Sequence, residues 1–259
     1  VRRALLAIAP LGVALLATAA CTRAGIPSAL RELERDDRVR VATTNGANAS
    51  LLLARRTDAG IVVVDLGWSD AEEALRGALA RLGARPADVT AVLLTHSHRD
   101  HVGAWRAVAH APFYVGRGEG ARLVGREPHR GWIPRLADRL RRPALPESGK
   151  LVVREIGGDT ALVFGGDTVR AFAMPGHTTG SVAWLVGDVL MLGDAASHAP
   201  TSGRLRPARR GFSDDASAAR ASLVRLRRAV APHRVRLLCT AHARCAPATD
   251  ASWRRLAGD

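Results

Sequence analysis

Lysine is almost missing from this sequence: Lys150 is the single one among 38 basic residues. The positive charge is therefore carried by arginine, and against 24 acidic residues it leaves a formal net charge of +14. Such a balance can mark a nucleic-acid or membrane-surface binder. Here the arginines are scattered, and no run interleaves them with aromatics. That argues against a nucleic-acid partner and for a compositional bias toward Arg and Ala. Cysteine is scarce as well, with three in 259 residues. Only Cys239 and Cys245 lie beyond the first 21 residues, too few for a disulfide framework. Cys239 ends an apolar run and reads as a small buried residue; a single bridge between the two stays open as an alternative that no pattern in the sequence supports. No short-period repeat is present, which excludes a solenoid.

The first apolar stretch, Ala4 to Ala17, is shorter than the about 20 residues that a spanning helix needs. Arg2 and Arg3 precede it, and the small residues Thr18, Ala19 and Ala20 follow it, the pattern of an export signal over residues 1–21. Cys21 comes directly afterwards, as the lipidated cysteine does in a bacterial lipoprotein, although Thr18 stands where Leu is usual. The expectation is an exported bacterial protein, periplasmic or held to the membrane by a lipid on Cys21. Residues 22–38 are polar and read as a tether. A single domain then runs from 39 to 259, a length sufficient for a large core.

Within that domain, apolar runs of strand length alternate with helical patterns. Strand signals begin at Val39 and continue through Leu51, Leu52 and Leu53. Ile61 to Val64 reads as a buried strand, stopped by Asp65-Leu66-Gly67. A helix should follow, opened by a Ser69-x-x-Glu72 capping box, faced by Leu75, Leu79 and Leu82, and ended by Gly83. Ala91 to Leu94 is another buried strand, running into Thr95-His96, with a helix expected from Gly103 to Val108. Residues 110–150 are irregular and rich in proline, with a helix over Ile133 to Arg141. Strand signals return at 151–153, 161–164, 169–174, 182–186 and 189–192. An amphipathic helix follows over Ser217 to Val230, then a last strand over Val235 to Cys239. The class is mixed α/β, with helices packed on sheets. Asp65, His96, Asp194 and His242 each follow closely on a strand, where the backbone is rigid enough to hold a metal ligand.

The densest chemistry is His96-Ser97-His98-Arg99-Asp100-His101. After a strand, alternate residues His96 and His98 can point to one side, while Asp100 and His101 reach a second point. Imidazole and carboxylate are ligands that zinc accepts at about 2.0–2.2 Å. Ser97 and Arg99 need not face a metal.

This cluster and its downstream partners resemble the metallo-β-lactamase superfamily. The matching segments are H-x-H-x-D-H at 96–101, Pro175-Gly176-His177-Thr178, Leu192-Gly193-Asp194, the final His242, and the earlier Asp65-Leu66-Gly67 turn. The resemblance spans roughly residues 40 to 245 and implies a four-layer αβ/βα sandwich. It implies two zinc ions, iron or manganese being alternatives. The first would be held by His96, His98 and His177, the second by Asp100, His101 and His242, with Asp194 between them. Asp100 would also serve as the catalytic proton acceptor. Asp65 would orient a ligand histidine through its other ring nitrogen. True β-lactamases of the superfamily generally carry Cys or Ser where Asp194 stands, so the glyoxalase II and lactonase branches are the nearer likeness. The expected activity is hydrolysis of an acyl bond in a small molecule: a lactone, thioester or amide. The alternatives are a β-lactamase-like amide hydrolase, a phosphodiesterase or nuclease, and a mononuclear-iron sulfur dioxygenase. His198, four residues after Asp194, is a candidate pocket residue. Trp132, beside His129, is a candidate lid or anchor. His110, His129 and His233 match nothing in the family pattern.

Overall fold

The computed structural model describes residues 33–43, 51–68, 71–140, 145, 151–199, 204–242 and 244–257. The expected leader with Cys21, and Ser69 of the expected capping box, lie outside these residues. Packing begins before Val39, inside the stretch read as a tether: Leu33 is fully buried in the central core.

Two six-stranded sheets form the frame. The first contains β1 (Val39–Thr43), β2 (Leu51–Thr57), β3 (Gly60–Val64), β4 (Val89–Leu93), β5 (Phe113–Gly116) and β6 (Val153–Ile156), in that order. The strands β1 to β3 are antiparallel, and β3 to β6 are parallel. The second sheet holds β7 (Thr160–Phe164), β8 (Asp167–Ala173), β9 (Val182–Val186), β10 (Val189–Gly193), β13 (Leu237–Thr240) and β14 (Arg244–Pro247), in the order β14-β13-β10-β9-β8-β7. A small hairpin, β11 (Ala196–His198) with β12 (Leu205–Pro207), extends beyond β10. The helices are α1 (Ala71–Arg81), α2 (Glu119–Leu123), α3 (Trp132–Leu140), α4 (Ala216–Ala229) and α5 (Asp250–Ala257).

Three apolar layers separate four structural ones. Leu75 and Leu79 of α1 share a cluster with Val63 and Phe113 of the first sheet. Between the sheets, Leu53, Val62, Val64 and Leu93 meet Val169, Trp184 and Met191. On the far side, Leu190, Leu192 and Leu238 cluster with Leu223, Leu226, Trp253 and Leu256 of α4 and α5. This is the α/β sandwich expected, helices outside and two sheets within. Strands such as β3, β4, β9 and β10 read as unbroken apolar runs because both faces are covered. No helix among the described residues is long and apolar enough to cross a membrane.

Three expectations need correction. The helix expected over Gly103 to Val108 is replaced by two short 3-10 turns, Arg99–His101 and Trp105–Val108. The N–H groups of Gly103 and Ala104 bond back to the carbonyls of Gly67 and Leu66, so they serve the Asp65 turn instead of a helix. A Cβ at Gly103 would lie 1.8 Å from the Trp68 carbonyl oxygen, so only glycine allows that approach. The irregular segment holds real elements, β5 and α2, besides α3. Finally, Cys239 is buried as expected but is not a free thiol: the alternative left open holds, and Cys239 and Cys245 are disulfide-bonded. They sit directly opposite each other on β13 and β14, a register invisible to the sequence. The bridge closes the turn that carries His242. For so short a loop, chain entropy gives about 2 kcal/mol of stabilisation. A Cys239→Ala/Cys245→Ala variant should lose about that much in urea denaturation; an unchanged midpoint would show that the bridge contributes nothing.

Candidate metal centre

The sequence places ligand-type residues just past the ends of β3, β4, β10 and β13, and the fold brings those ends together at one edge of the two sheets. Asp65 follows β3. It is the one described non-glycine residue with positive φ, at 54°. Its carboxylate explains the conformation: it accepts from the Thr95 N–H at 2.8 Å and the Thr95 hydroxyl at 2.9 Å, and lies 2.9 Å from His101 Nδ1. The strained turn is thus held by three partners on the next ligand-bearing loop.

His96, His98 and His177 form one triad. His177 Nε2 lies 3.1 Å from both His96 Nε2 and His98 Nδ1. Ligand nitrogens bound tetrahedrally at 2.0–2.1 Å stand about 3.3 Å apart, so this spacing suits a shared ion. Asp100, His101 and His242 form a second triad, each offering an atom within 4.8 Å of the others. Asp194 stands between the two, its Oδ2 being 3.7 Å from His177 Nε2 and 3.2 Å from His242 Nε2. All seven residues expected from the sequence are therefore gathered in one place.

The donor set fits metal ions. Four buried side-chain atoms among the described residues lack a hydrogen-bond partner, and three belong here: His98 Nε2, His101 Nε2 and Asp194 Oδ1. Buried polar atoms are rarely left so. With Nδ1 of His101 turned to Asp65, its Nε2 is left for the centre. Electrostatics divide the triads. Burial, together with the neighbouring rings, pushes His96 and His98 well below the usual imidazole range, and burial lowers His177 too. These shifts favour the neutral ring, the form that binds metal. Burial also opposes charge on His101, but the adjacent Asp65 carboxylate overrides it and raises the ring to about 10. Asp194 raises His242 to about 9. Burial works against the charge of Asp194, yet the surrounding histidines, His242 first, hold its carboxyl well below the ordinary value.

Behind the first triad lies a network that the sequence did not reveal. Glu119, fully buried on α2, accepts from the N–H of Ser97 at 2.8 Å, from the N–H of Gly180 at 3.0 Å, and from the Ser97 hydroxyl. It thereby ties the His96–His98 loop to the His177 loop. Arg122 pairs with Glu119 and, at 3.0 Å, with Asp214. Asp214 in turn accepts from the N–H groups of Arg130, Gly131 and Thr179. Ser97 Oγ lies 2.9 Å from His129 Nε2, while His129 Nδ1 lies 2.9 Å from Asp138. His129 is buried, and its ring packs edge-on against His98 at 4.5 Å between centroids. Nothing in spacing or periodicity singles out Glu119, which in a sequence reads as a solvated charge.

The remaining candidates separate. His198 is half-buried and places Nδ1 3.1 Å from the Thr240 hydroxyl, close to the His242 turn. Trp132 is 65% exposed, which excludes an anchor buried in a core. It lies against Gly211, where an added Cβ would stand 3.1 Å from the indole nitrogen. His110 bonds the Val89 carbonyl and His233 lies against Phe172; neither reaches the centre.

Comparison with known proteins agrees with this geometry. A segment of 60 residues is 50% identical to the human metallo-beta-lactamase domain-containing protein 1, covering 23% of this chain and 21% of that protein. A longer match, 26% identical over 151 residues, is to a probable polyketide biosynthesis zinc-dependent hydrolase of Bacillus velezensis, covering 57% of this chain and 55% of that protein. The chain thus matches only part of the length of these curated relatives. Among solved structures, a metallo-beta-lactamase family protein from Thermus thermophilus superposes with a TM-score of 0.61 at 23% identity, over 85% of this chain and 77% of that one. An archaeal superfamily protein from Sulfolobus tokodaii gives 0.60 at 19% identity, over 81% of each chain. These structures share the fold. The family model described as the metallo-beta-lactamase superfamily matches residues 43–242, from β1 to the last histidine of the cluster, and the chain belongs to that superfamily.

Proposed function

We propose that the protein is an exported hydrolase that uses two zinc ions to cleave an acyl bond in a small molecule, a lactone or thioester by preference. The observation that carries this reading is the convergence of His96, His98, His177, Asp100, His101, His242 and Asp194, with buried donor atoms left unpartnered at their centre. His96, His98 and His177 would hold the first ion; Asp100, His101 and His242 the second; Asp194 would contact both. Bound there, the metals supply a water acidic enough to attack near neutral pH and a Lewis acid for the acyl oxygen. The chain's own groups do the rest. Asp100, half-buried at the second triad, accepts the proton released by the attacking water and returns it to the leaving group. Asp65 fixes the tautomer of His101, so that its Nε2 faces the centre. The network through Glu119 keeps the two loops of the first triad in register.

Asp194 supports the acyl-hydrolase branches over true β-lactamases, which generally carry Cys or Ser at that place. Export is supported by the leader pattern and by the Cys239–Cys245 bridge, since such bonds persist in oxidising compartments. The test is a panel of chromogenic lactones, thioesters, esters, a β-lactam and a phosphodiester. Turnover of lactones or thioesters is expected, abolished by chelator and restored by zinc. Turnover of the phosphodiester alone would overturn the acyl reading.

A further inference from the structure

We propose that helix α3 docks on an anionic phospholipid bilayer, its exposed tryptophan and leucine entering the headgroup layer and its arginines meeting lipid phosphates. The proposal does not need the acyl-hydrolase reading; it takes from that reading only the export that brings the chain to a membrane. Successive residues of a helix turn by about 100°. Arg135, Arg139, Trp132 and Leu136 of α3 therefore share one arc of about 100°, and all four are exposed. Trp132 is 65% exposed and Leu136 49%. The one acid of the helix, Asp138, lies outside this arc and is turned inward. Its carboxylate accepts from the His129 N–H at 2.8 Å and stands 2.9 Å from His129 Nδ1. An outward face of Trp and Leu framed by arginine is the composition of a helix that lies in a membrane interface. Arginine suits such a place, because its apolar stem can follow the side chains inward while the guanidinium stays with the phosphates.

Arg209 and Arg210, both exposed, widen the basic surface. Their turn packs on the start of α3: a Cβ at Gly211 would stand 3.1 Å from the Trp132 indole nitrogen and 3.1 Å from Ile133 Cδ1. Among the described residues, no carboxylate pairs with Arg135, Arg139, Arg209 or Arg210, whereas Arg38, Arg55, Arg122 and Arg225 all have such partners. This charge selects an anionic occupant. A second copy of the chain would oppose like charges, and a nucleic acid would gain nothing from Leu136. The face also has a fixed seat. Buried His129 joins Asp138 to Ser97 and packs against His98. The docked helix therefore holds the metal centre near the bilayer surface.

The test mixes the full chain with vesicles of phosphatidylcholine and phosphatidylglycerol whose brominated acyl chains quench tryptophan on contact. Of the five tryptophans, Trp132 is the exposed one; Trp184 and Trp253 are buried, Trp68 and Trp105 half-buried. Vesicles should quench the native chain, and Trp132→Phe should remove most of that quenching. Arg135→Gln/Arg139→Gln should raise the lipid concentration needed by about tenfold or more. Arg228→Gln/Arg254→Gln, which removes the same charge from exposed positions on α4 and α5, should change it by less than about twofold. All chains carry the same N-terminus, so the differences report α3. Equal quenching of the native chain and Trp132→Phe, or equal quenching by phosphatidylcholine alone, overturns the proposal. So does a control pair as damaging as the α3 pair, which would mean that net charge alone holds the chain to lipid. Trp132-dependent binding of a single-stranded oligonucleotide, without quenching by vesicles, would assign the face to nucleic acid instead. None of these outcomes involves turnover, so the acyl-hydrolase reading stands or falls separately on its substrate panel.

Discussion

An Asp194→Ala variant should lose about a thousandfold or more in kcat/KM while remaining folded. The carboxylate stands at the end of β10, within 3.7 Å of a nitrogen of the first triad and 3.2 Å of one of the second. It is the charge that two dications would share. A metal-assisted step contributes several kcal/mol to the barrier, and each 1.36 kcal/mol is a factor of ten in rate. Misplacing both ions therefore costs on the order of three decades or more. Stability should respond differently. Without metal, Asp194 pairs with His242, and its removal costs that pair. The metal-free variant should thus have a lower urea midpoint than the metal-free native chain, and its rise on adding zinc should be much smaller. If Asp194 only capped the turn after β10, the zinc response would persist in full.

A Glu119→Ala variant should show the reverse balance. Its carboxylate is fully buried and satisfies two backbone N–H groups and the Ser97 hydroxyl. Removing it leaves those donors unpaired and strips Arg122, itself 4% exposed at the side chain, of one of its two carboxylates. Breaking such a buried pair from one side costs about 3–5 kcal/mol. Glu119→Gln keeps the shape and an acceptor oxygen, and should recover part of that loss. Because Glu119 joins the loops of His96–His98 and His177, affinity for the first ion should fall about 10–100-fold in the Gln variant, with the second ion little affected. Competition against a chromogenic chelator resolves the two steps. Equal weakening of both would mean that Glu119 acts on the fold as a whole and not on the first triad.

The ligand cluster was legible for a physical reason. Metal ligands must sit on rigid backbone, and in this fold they follow strands whose apolar runs are unmistakable: Val64 before Asp65, Leu93 before His96, Leu192 before Asp194, Cys239 before His242. His96 to His101 also lie close enough in sequence for their spacing to carry meaning. Glu119, His129 and Asp214 work only through tertiary contact with Ser97, Gly180 and Arg122, and local pattern does not encode such contacts. The same holds for the Cys239–Cys245 bridge, which depends on the register of β13 against β14. The 3-10 turns near 99–108 escaped because Gly103 and Ala104 spend their N–H groups on a turn nearly forty residues earlier in the chain. Strand β5, four residues long, was hidden among the prolines of 110–150.

The metal content of the protein, purified without added metal and compared with His242→Ala, tests the central claim most directly. Two zinc ions per native chain and one per variant chain, with hydrolysis lost in the variant, is the expected result. One iron per chain in both, with activity unaffected by the substitution, would contradict it.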